Sequence, residues 1–123
     1  MTASIVIVSH SKDIAQGVYT LLQEVAGDVD IQFVGGTEDG GIGTSFDRVQ
    51  AVVDAAVGDV ILAFYDLGSA KMNLEMVSDF SDKEIRIFDV AFVEGAYTAG
   101  ALLQAGASLD DVVAQVEELR VSK

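Results

Sequence analysis

The sequence predicts the α/β class, with an open, mostly parallel four-stranded sheet and helices on both faces. Four runs of β-branched and aromatic residues alternate with segments whose apolar residues recur at helical spacing. The first and third runs are apolar almost throughout, which is typical of strands buried on both faces of a parallel sheet. The chain has 123 residues and no linker or repeat, so we expect one domain, residues 1–123.

Each predicted strand is followed by a predicted helix. The strands cover residues 4–8, 29–34, 60–65 and 85–90, and the helices cover residues 11–26, 45–57, 70–80, 94–105 and 109–121. Right-handed crossovers and the need to cover both faces of the sheet favour the strand order 2-1-3-4. That order has one switch point, between strands 1 and 3, where ligands bind at the carboxyl ends of the strands.

Capping residues and apolar stripes define the helices. Ser11 is the expected N-cap of the first helix, and Gly27 follows its end. The apolar stripe of this helix is predicted to contain Ile14, Val18, Leu21, Leu22 and Val25. The second helix ends before Gly58, and its stripe is predicted to contain Phe46, Val49, Val53, Ala56 and Val57. Ser108 is the expected N-cap of the last helix.

The composition excludes several classes of function. Twenty Asp and Glu against seven Lys and Arg give a net charge of −13, whereas nucleic-acid and anionic-membrane surfaces need clustered basic residues. The chain has no cysteine, which excludes disulfides, thiol nucleophiles and zinc–thiolate sites, and we expect no metal. The sequence shows no secretory signal and no apolar run of about 18–20 residues, so we expect a cytoplasmic location.

The predicted switch point brings two titratable residues together. His10, the one histidine of the chain, follows strand 1, and Asp66 follows strand 3. Neighbouring strands lie about 4.8 Å apart, so the two side chains are expected within hydrogen-bonding reach.

The loop after strand 2 is rich in glycine, with five of the twelve glycines between residues 35 and 43. Glycine lets backbone N–H groups point at an anion, and the N-terminus of the following helix also favours negative charge. The loop lacks the Gly-Lys-Ser/Thr ending of a P-loop, so a nucleotide is expected to arrive on another protein. The residues expected to bind a phosphoryl group are Ser11, Gly36, Gly43, Thr44, Ser45 and Ser69.

Together these features predict a covalent phosphohistidine, with His10 as the nucleophile and Asp66 as the carboxylate that orients its ring. If Asp66 accepts a hydrogen bond from Nδ1–H, the nucleophile is Nε2. Structural alternatives stay open at this point. His10 could be a structural histidine, Asp66 could cap the following helix, and the glycine-rich loop could be only a flexible connection.

Three of the seven basic residues lie in the first turns of helices that follow the three crevice loops: Lys12, Arg48 and Lys71. The helix dipole disfavours cations there. Either these side chains face a phosphate or an acidic patch on a partner, or they bend back into solvent.

Four segments of the chain carry a family resemblance. They are residues 5–11 (Ile-Val-Ile-Val-Ser-His-Ser), the Gly-Gly-Thr…Gly-Thr-Ser loop, Asp66-Leu67-Gly68-Ser69-Ala70 with Asn73, and Val93-Glu94-Gly95-Ala96. In combination, and over the whole chain, they resemble the DhaM phosphocarrier subunits of phosphotransferase-system-dependent dihydroxyacetone kinases, which are relatives of mannose-type EIIA domains.

The resemblance implies an EIIA-mannose-like fold, a homodimer, and a phosphotransferase subunit in which His10 is phosphorylated and Asp66 supports its ring. Phosphoryl groups would come from phospho-HPr and pass to ADP held on the DhaL subunit. The resulting ATP would phosphorylate dihydroxyacetone bound to the DhaK subunit. ADP and ATP are expected on the partner, and no cofactor is expected on this chain.

Three other functions stay open from the sequence. An EIIA domain of a mannose- or fructose-type sugar transporter would use the same phosphohistidine but a different acceptor. A response-regulator receiver domain shares the fold class, but it needs an acidic cluster after strand 1, where this chain has His10. A non-catalytic sensor would bind a small anion in the crevice and never become covalently modified.

Overall fold

The computed structural model describes residues 2–123 and contains all nine predicted elements in the predicted order. The strands are β1 (Ala3–Ser9), β2 (Asp30–Gly35), β3 (Val60–Tyr65) and β4 (Glu84–Phe88). The helices are α1 (Lys12–Val25), α2 (Phe46–Ala55), α3 (Gly68–Phe80), α4 (Phe92–Gln104) and α5 (Leu109–Glu117).

The four strands form one parallel sheet in the order β2-β1-β3-β4, which confirms the predicted topology. Val8 lies opposite both Val34 of β2 and Tyr65 of β3, so all three strands end at nearly the same level. The residues that follow them therefore meet at one edge of the sheet, at the switch point between β1 and β3.

The sheet has an apolar core on each face because successive side chains of a strand point to opposite sides. Ile5 and Ile7 of β1 pack in the core that α1, α4 and α5 cover. Val6 and Val8 pack in the core that α2 and α3 cover. β1 and β3 are buried on both faces, which explains their nearly continuous apolar sequences.

The predicted stripe of α1 is wrong at two positions, because Ile14 and Leu21 are exposed to solvent. The buried side chains of this helix are Ala15, Val18 and Leu22. The contact face is centred on these residues, so Ile14 and Leu21 lie at its margin. Similarly, α2 ends at Ala55 and leaves Val57 of its predicted stripe exposed.

The predicted last helix is also too long, because α5 ends at Glu117 rather than at Val121. The chain then turns and runs antiparallel to the segment after β4. The N–H of Ala91 donates to the carbonyl of Leu119, and the N–H of Val121 donates to the carbonyl of Asp89, both at 3.0 Å. This pairing places the C-terminal residues at the carboxyl edge of the sheet. None of the helices described above is long and apolar enough to cross a membrane.

Candidate active site

His10 lies between a buried strand and the start of a helix, so its backbone is fixed on both sides. β1 ends at Ser9, and Ser11 is the N-cap of α1, where its Oγ accepts a hydrogen bond from the N–H of Ile14 at 3.3 Å. The imidazole keeps 16% of its surface exposed. It is thus held firmly and still open to a reacting group.

Asp66 accepts four hydrogen bonds, two of them from His10. Oδ1 lies 2.9 Å from Nδ1 of His10, and Oδ2 accepts from the backbone N–H of His10 at 2.9 Å. The hydroxyl of Ser9 donates to Oδ2 at 2.8 Å, and the N–H of Leu67 donates to Oδ1 at 2.7 Å. The strand spacing therefore brings the two side chains together as the sequence predicted.

The protonation state of Asp66 follows from these contacts. Burial opposes ionisation, but the hydrogen bonds from His10, Ser9 and Leu67 outweigh it and hold the pKa of Asp66 below its usual value. An ionised carboxylate only accepts hydrogen bonds, so Nδ1 of His10 carries the proton in this pair.

The other ring nitrogen, Nε2, faces the start of α3. Because Nδ1 carries the proton, Nε2 of the neutral ring holds the free lone pair. The hydroxyl of Ser69 lies within hydrogen-bond distance of Nε2 and can donate to it. Among the residues predicted to bind a phosphoryl group, Ser69 is the one whose side chain contacts the imidazole.

Ser9 is a residue of the site that the sequence analysis missed. Its side chain is fully buried, and its hydroxyl donates to Asp66 while it accepts from the N–H of Ser11 at 3.1 Å. The available signal was a serine at the end of an apolar strand, directly before the histidine. Ser9 ties the carboxylate to the backbone of the loop that carries His10.

The glycine-rich loop is hydrogen-bonded to the backbone of the segment that carries His10. This supporting role was not predicted for the loop. The N–H of Gly36 donates to the carbonyl of Ser9 at 3.3 Å, and the N–H of Gly43 donates to the carbonyl of His10 at 2.9 Å. Their φ angles of 77° and 139° are ones that glycine adopts readily. Both amides therefore donate to backbone carbonyls at the end of β1 and in the loop after it, and phosphoryl binding by Gly36 and Gly43 stays a prediction.

The remaining predicted residues also have partners within the chain. Ser11 and Ser45 are N-caps of α1 and α2, and the hydroxyl of Ser45 also donates to Glu38. Oγ1 of Thr44 accepts from the side-chain amide of Asn73 at 2.7 Å. These contacts fix the loops around the site.

The start of α3 is different, because its N-cap residue, Leu67, makes no side-chain capping bond. The first N–H groups of a helix have no partner within the helix. The amides of Gly68 and Ser69 therefore form an uncapped, electropositive helix end on the side of His10 that carries Nε2.

Two of the three basic residues singled out in the sequence are held by partners in the chain. Arg48 donates from Nη2 to the carbonyl of Gly35 at 3.1 Å. Lys71 pairs with Asp89 at 2.9 Å, whereas Lys12 is exposed. The hydrogen bond from the Tyr65 hydroxyl, together with Lys71, lowers the pKa of Asp89.

Lys123 lies closer to the site than the sequence indicates. Its Nζ donates to the carbonyls of Tyr65 and Val90 at 2.7 and 2.6 Å and lies 4.2 Å from the centre of the Tyr65 ring. Burial lowers the pKa of Lys123, while the charges of Asp66 and Asp89 oppose that shift. A cavity of about 420 Å³ adjoins it, lined by Lys71, Asp89, Arg120, Val121, Ser122 and Lys123.

Known proteins are similar to this chain in sequence and in fold. Residues 4–113 match the EIIA-man family, described as PTS system fructose IIA component. The phosphotransferase subunit DhaM of the PTS-dependent dihydroxyacetone kinase of Lactococcus lactis is 50% identical over 123 residues, which is the full length of both chains. The phosphoryl donor subunit DhaM of PEP-dependent dihydroxyacetone kinase 1 of Listeria innocua is 45% identical over 95% of this chain and 94% of its own.

A solved structure supports the fold independently. The phosphotransferase system component EIIA from Streptococcus agalactiae superimposes with a TM-score of 0.68 at 21% identity, over 94% of this chain and 89% of its own. The match to the family model covers most of the chain, and the two relatives cover nearly all of it. The chain therefore belongs to the EIIA-man family and, within it, to the DhaM phosphotransferase subunits.

Proposed function

We propose that Nε2 of His10 accepts a phosphoryl group from phospho-HPr and passes it to ADP bound on a DhaL subunit. The observation that carries this proposal is the orientation of the ring. Asp66 accepts from Nδ1, which leaves the lone pair of Nε2 directed at Ser69 and the uncapped start of α3. The names of the relatives, a phosphotransferase subunit and a phosphoryl donor subunit, agree with this role.

The transfer needs one bond to form and one to break. The lone pair of Nε2 attacks phosphorus as the bond between phosphorus and the donor breaks, and the donor leaves with that electron pair. The proton stays on Nδ1, so the phosphorylated ring is cationic and Asp66 stabilises it. In the second half-reaction, an oxygen of the terminal phosphate of ADP attacks phosphorus, and the bond to Nε2 breaks.

We propose the start of α3 as the seat of the transferred group. The hydroxyl of Ser69 contacts Nε2, and the amides of Gly68 and Ser69 are hydrogen-bond donors at the same helix end. Helix N-termini favour anions through their free N–H groups and their dipole. This seat replaces the glycine-loop amides, which bond to the carbonyls of Ser9 and His10. Ser11, Thr44 and Ser45 support the surrounding loops in this scheme.

The assembly is part of the same proposal. We propose a homodimer that works with DhaL and DhaK in the cytoplasm, with the nucleotide held by DhaL. The phosphorylated DhaM chain thus supplies the group that finally reaches dihydroxyacetone. A gel-filtration and light-scattering measurement tests the dimer separately from the chemistry.

The direct test is reconstitution of the relay. The chain is incubated with phosphoenolpyruvate, enzyme I and HPr, and an acid-labile adduct of one phosphoryl group is expected. His10→Ala is expected to carry none, because the chain has no other histidine. Adding DhaL with ADP is expected to discharge the adduct, whereas discharge only to a sugar-specific EIIB protein would favour the transporter alternative. An adduct that persists in His10→Ala would refute the assignment.

A further inference from the structure

We infer that Lys123 is a positioning residue for phosphoryl transfer, which acts on His10 through the carboxylate of Asp66. Its ammonium group holds the end of the strand that leads into Asp66 and adds a positive charge to the site. For its effect on the rate, this inference rests on the proposed function, and it adds a residue that the proposed mechanism does not use.

The position of Lys123 is set by the segment that precedes it. The N–H of Val121 donates to the carbonyl of Asp89, and the N–H of Ala91 donates to the carbonyl of Leu119, both at 3.0 Å. Lys123 follows this antiparallel pairing by two residues. Its side chain therefore starts at the carboxyl edge of the sheet, where the site lies.

The ammonium group binds two backbone carbonyls and one aromatic ring at that edge. Nζ donates to the carbonyl of Tyr65 at 2.7 Å and to the carbonyl of Val90 at 2.6 Å. It also lies 4.2 Å from the centre of the Tyr65 ring, where a cation is attracted to the ring face. That ring is buried and its hydroxyl bonds to Asp89, so the surface beneath the ammonium group is fixed.

The contact with Tyr65 leads directly to the reacting ring. Tyr65 precedes Asp66, so its carbonyl belongs to the planar peptide group that joins the two residues. A hydrogen bond to this carbonyl therefore restrains the backbone from which the Asp66 side chain projects. Asp66 in turn accepts from Nδ1 and from the backbone N–H of His10, both at 2.9 Å. A change at Lys123 thus reaches the imidazole through Asp66.

The charge of Lys123 also acts on Asp66. Burial lowers the pKa of Lys123, and the negative charges of Asp66 and Asp89 oppose that shift. The attraction between opposite charges favours the charged form of both groups. The ammonium group therefore helps to keep Asp66 ionised, in addition to the hydrogen bonds that this carboxylate accepts.

The use of a charged donor argues against a purely structural role for Lys123. Backbone carbonyls away from water need hydrogen bonds, but a neutral donor would satisfy them. Lys123 is exposed as a residue, whereas its Nζ is partly buried in the contacts with Tyr65 and Val90. Partial burial of a charge is unfavourable unless the charge is compensated, and a nearby carboxylate that must stay ionised gives this charge a use.

The other basic residues that line the adjoining cavity have different partners. Lys71 pairs with Asp89 at 2.9 Å, and Arg120 pairs with Glu117 at 3.1 Å. The charge of Asp66, by contrast, acts on Lys123. Lys123 is therefore the residue of this cavity that we connect to the phosphoryl-transfer site.

The first test is a ¹³C NMR titration of the Asp66 carboxyl group in the unphosphorylated chain. In Lys123→Met the pKa of Asp66 is expected to rise toward its usual value, because the positive charge is lost while the side-chain length is kept. Lys123→Arg keeps the charge and the donors, so it should hold the pKa of Asp66 at the wild-type value. A pKa of Asp66 that does not rise in Lys123→Met would overturn the inference, whether or not the chain is ever phosphorylated.

The second test measures phosphorylation of His10 by phospho-HPr. We expect kcat/KM to fall roughly tenfold in Lys123→Met and less than about twofold in Lys123→Arg, because transfer is sensitive to small displacements of the groups that position the nucleophile. A rate near that of wild type in Lys123→Met would overturn the inference, and so would an equal loss in Lys123→Arg. If wild type is never phosphorylated, the proposed function fails and the titration of Asp66 decides the inference alone.

Arg120→Gln is the matched control, because it removes a positive charge from the same segment and the same cavity. The Arg120 side chain is 63% exposed, and the pKa of Asp66 and the rate should stay at their wild-type values. Changes as large as those in Lys123→Met would overturn the assignment to Lys123. Circular dichroism and melting temperatures check the fold of each variant. If Lys123→Met unfolds, Lys123→Gln, which still carries two donors, takes its place with the same expectations.

Discussion

At the scale of single residues, the site depends on one carboxylate that fixes one imidazole. Asp66 accepts from both the ring and the backbone of His10, so the position and the tautomer of the ring are set together. Ser9 and Leu67 supply the further hydrogen bonds that keep this carboxylate ionised. In the proposed mechanism, a single charged residue thus prepares Nε2 to react without a cluster of basic side chains.

Asp66→Asn is predicted to slow phosphorylation of His10 by about 100-fold, in the range for loss of a group that controls proton position. The amide has nearly the same shape, but it carries no charge to stabilise the cationic ring. Rapid quench-flow with phospho-HPr measures the rate of phosphorylation, and circular dichroism checks the fold. A rate within threefold of wild type would show that Asp66 is only structural.

Asp66 is also predicted to make stability depend on acid pH. The pKa of Asp66 is lower in the folded chain than the usual value of 3.8, which applies to the unfolded chain. Its contribution to the free energy of unfolding is therefore fully present above pH 3.8. The contribution is lost as the pH falls through the folded pKa. Urea unfolding between pH 5 and 2 should therefore show a smaller loss of stability in Asp66→Asn than in wild type. Parallel curves for the two proteins would contradict this expectation.

Ser9→Ala is predicted to lower the free energy of unfolding by about 1–2 kcal/mol, because a buried hydroxyl that satisfies two partners is lost. The rate of phosphorylation should fall by less than in Asp66→Asn, since the charge remains. Urea titration gives the stability. No change in either quantity would mean that a water molecule replaces the hydroxyl.

At the scale of elements, three strands and three loops converge on His10, and the loops hold each other through backbone bonds. The loop after β2 donates to the carbonyls of Ser9 and His10, and Arg48 of α2 donates back to Gly35. The start of α3 is left uncapped. The glycine-rich loop thus supports the segment that carries His10, and the end of α3 is the proposed seat of the phosphoryl group.

Gly36→Ala is predicted to destabilise the chain by at least about 1–2 kcal/mol, because Gly36 has a φ of 77°. A Cβ there would also lie 2.7 Å from the carbonyl oxygen of Gly41. Gly17→Ala in α1 is the matched control, since nothing lies within 4 Å of its added Cβ. The control should gain about 0.5–1 kcal/mol from the helical preference of alanine. Equal effects in the two variants would contradict the account of this loop.

The sequence was informative about elements and less so about contacts between them. Periodicity and β-branched runs predicted every strand and helix, and strand spacing predicted the contact of His10 with Asp66. The hydrogen bonds from the Gly36 and Gly43 amides to backbone carbonyls could not be predicted, because they depend on how closely the loop approaches the end of β1. The position of Lys123 likewise depends on the antiparallel pairing of the C-terminal residues with the segment after β4. No local sequence pattern indicates that pairing.

At the scale of the whole molecule, a net charge of −13 accompanies a site that handles an anion. The two are compatible because amides at a helix end, rather than a basic cluster, are proposed to hold the phosphoryl group. The acidic surface is then free to attract a basic partner. The relatives are subunits of a kinase, which agrees with a chain built to meet other proteins.

Salt is therefore predicted to slow phosphorylation by phospho-HPr, by about tenfold between about 0.05 and 0.5 M, because it screens long-range attraction. Glu75→Gln combined with Asp79→Asn should weaken this dependence, since both carboxylates are exposed on α3, the helix that begins beside Nε2 of His10. Rates measured across the salt series check both expectations. A rate that is independent of salt would leave the acidic surface without a role in the encounter.

The central claim is that Nε2 of His10 carries the phosphoryl group, and the most direct measurement is heteronuclear NMR of the ¹⁵N-histidine-labelled phosphoprotein. Coupling of phosphorus to Nε2, with a protonated Nδ1, is the predicted result, because Asp66 occupies the other side of the ring. Phosphorus bonded to Nδ1, or to a residue other than His10, would contradict the account.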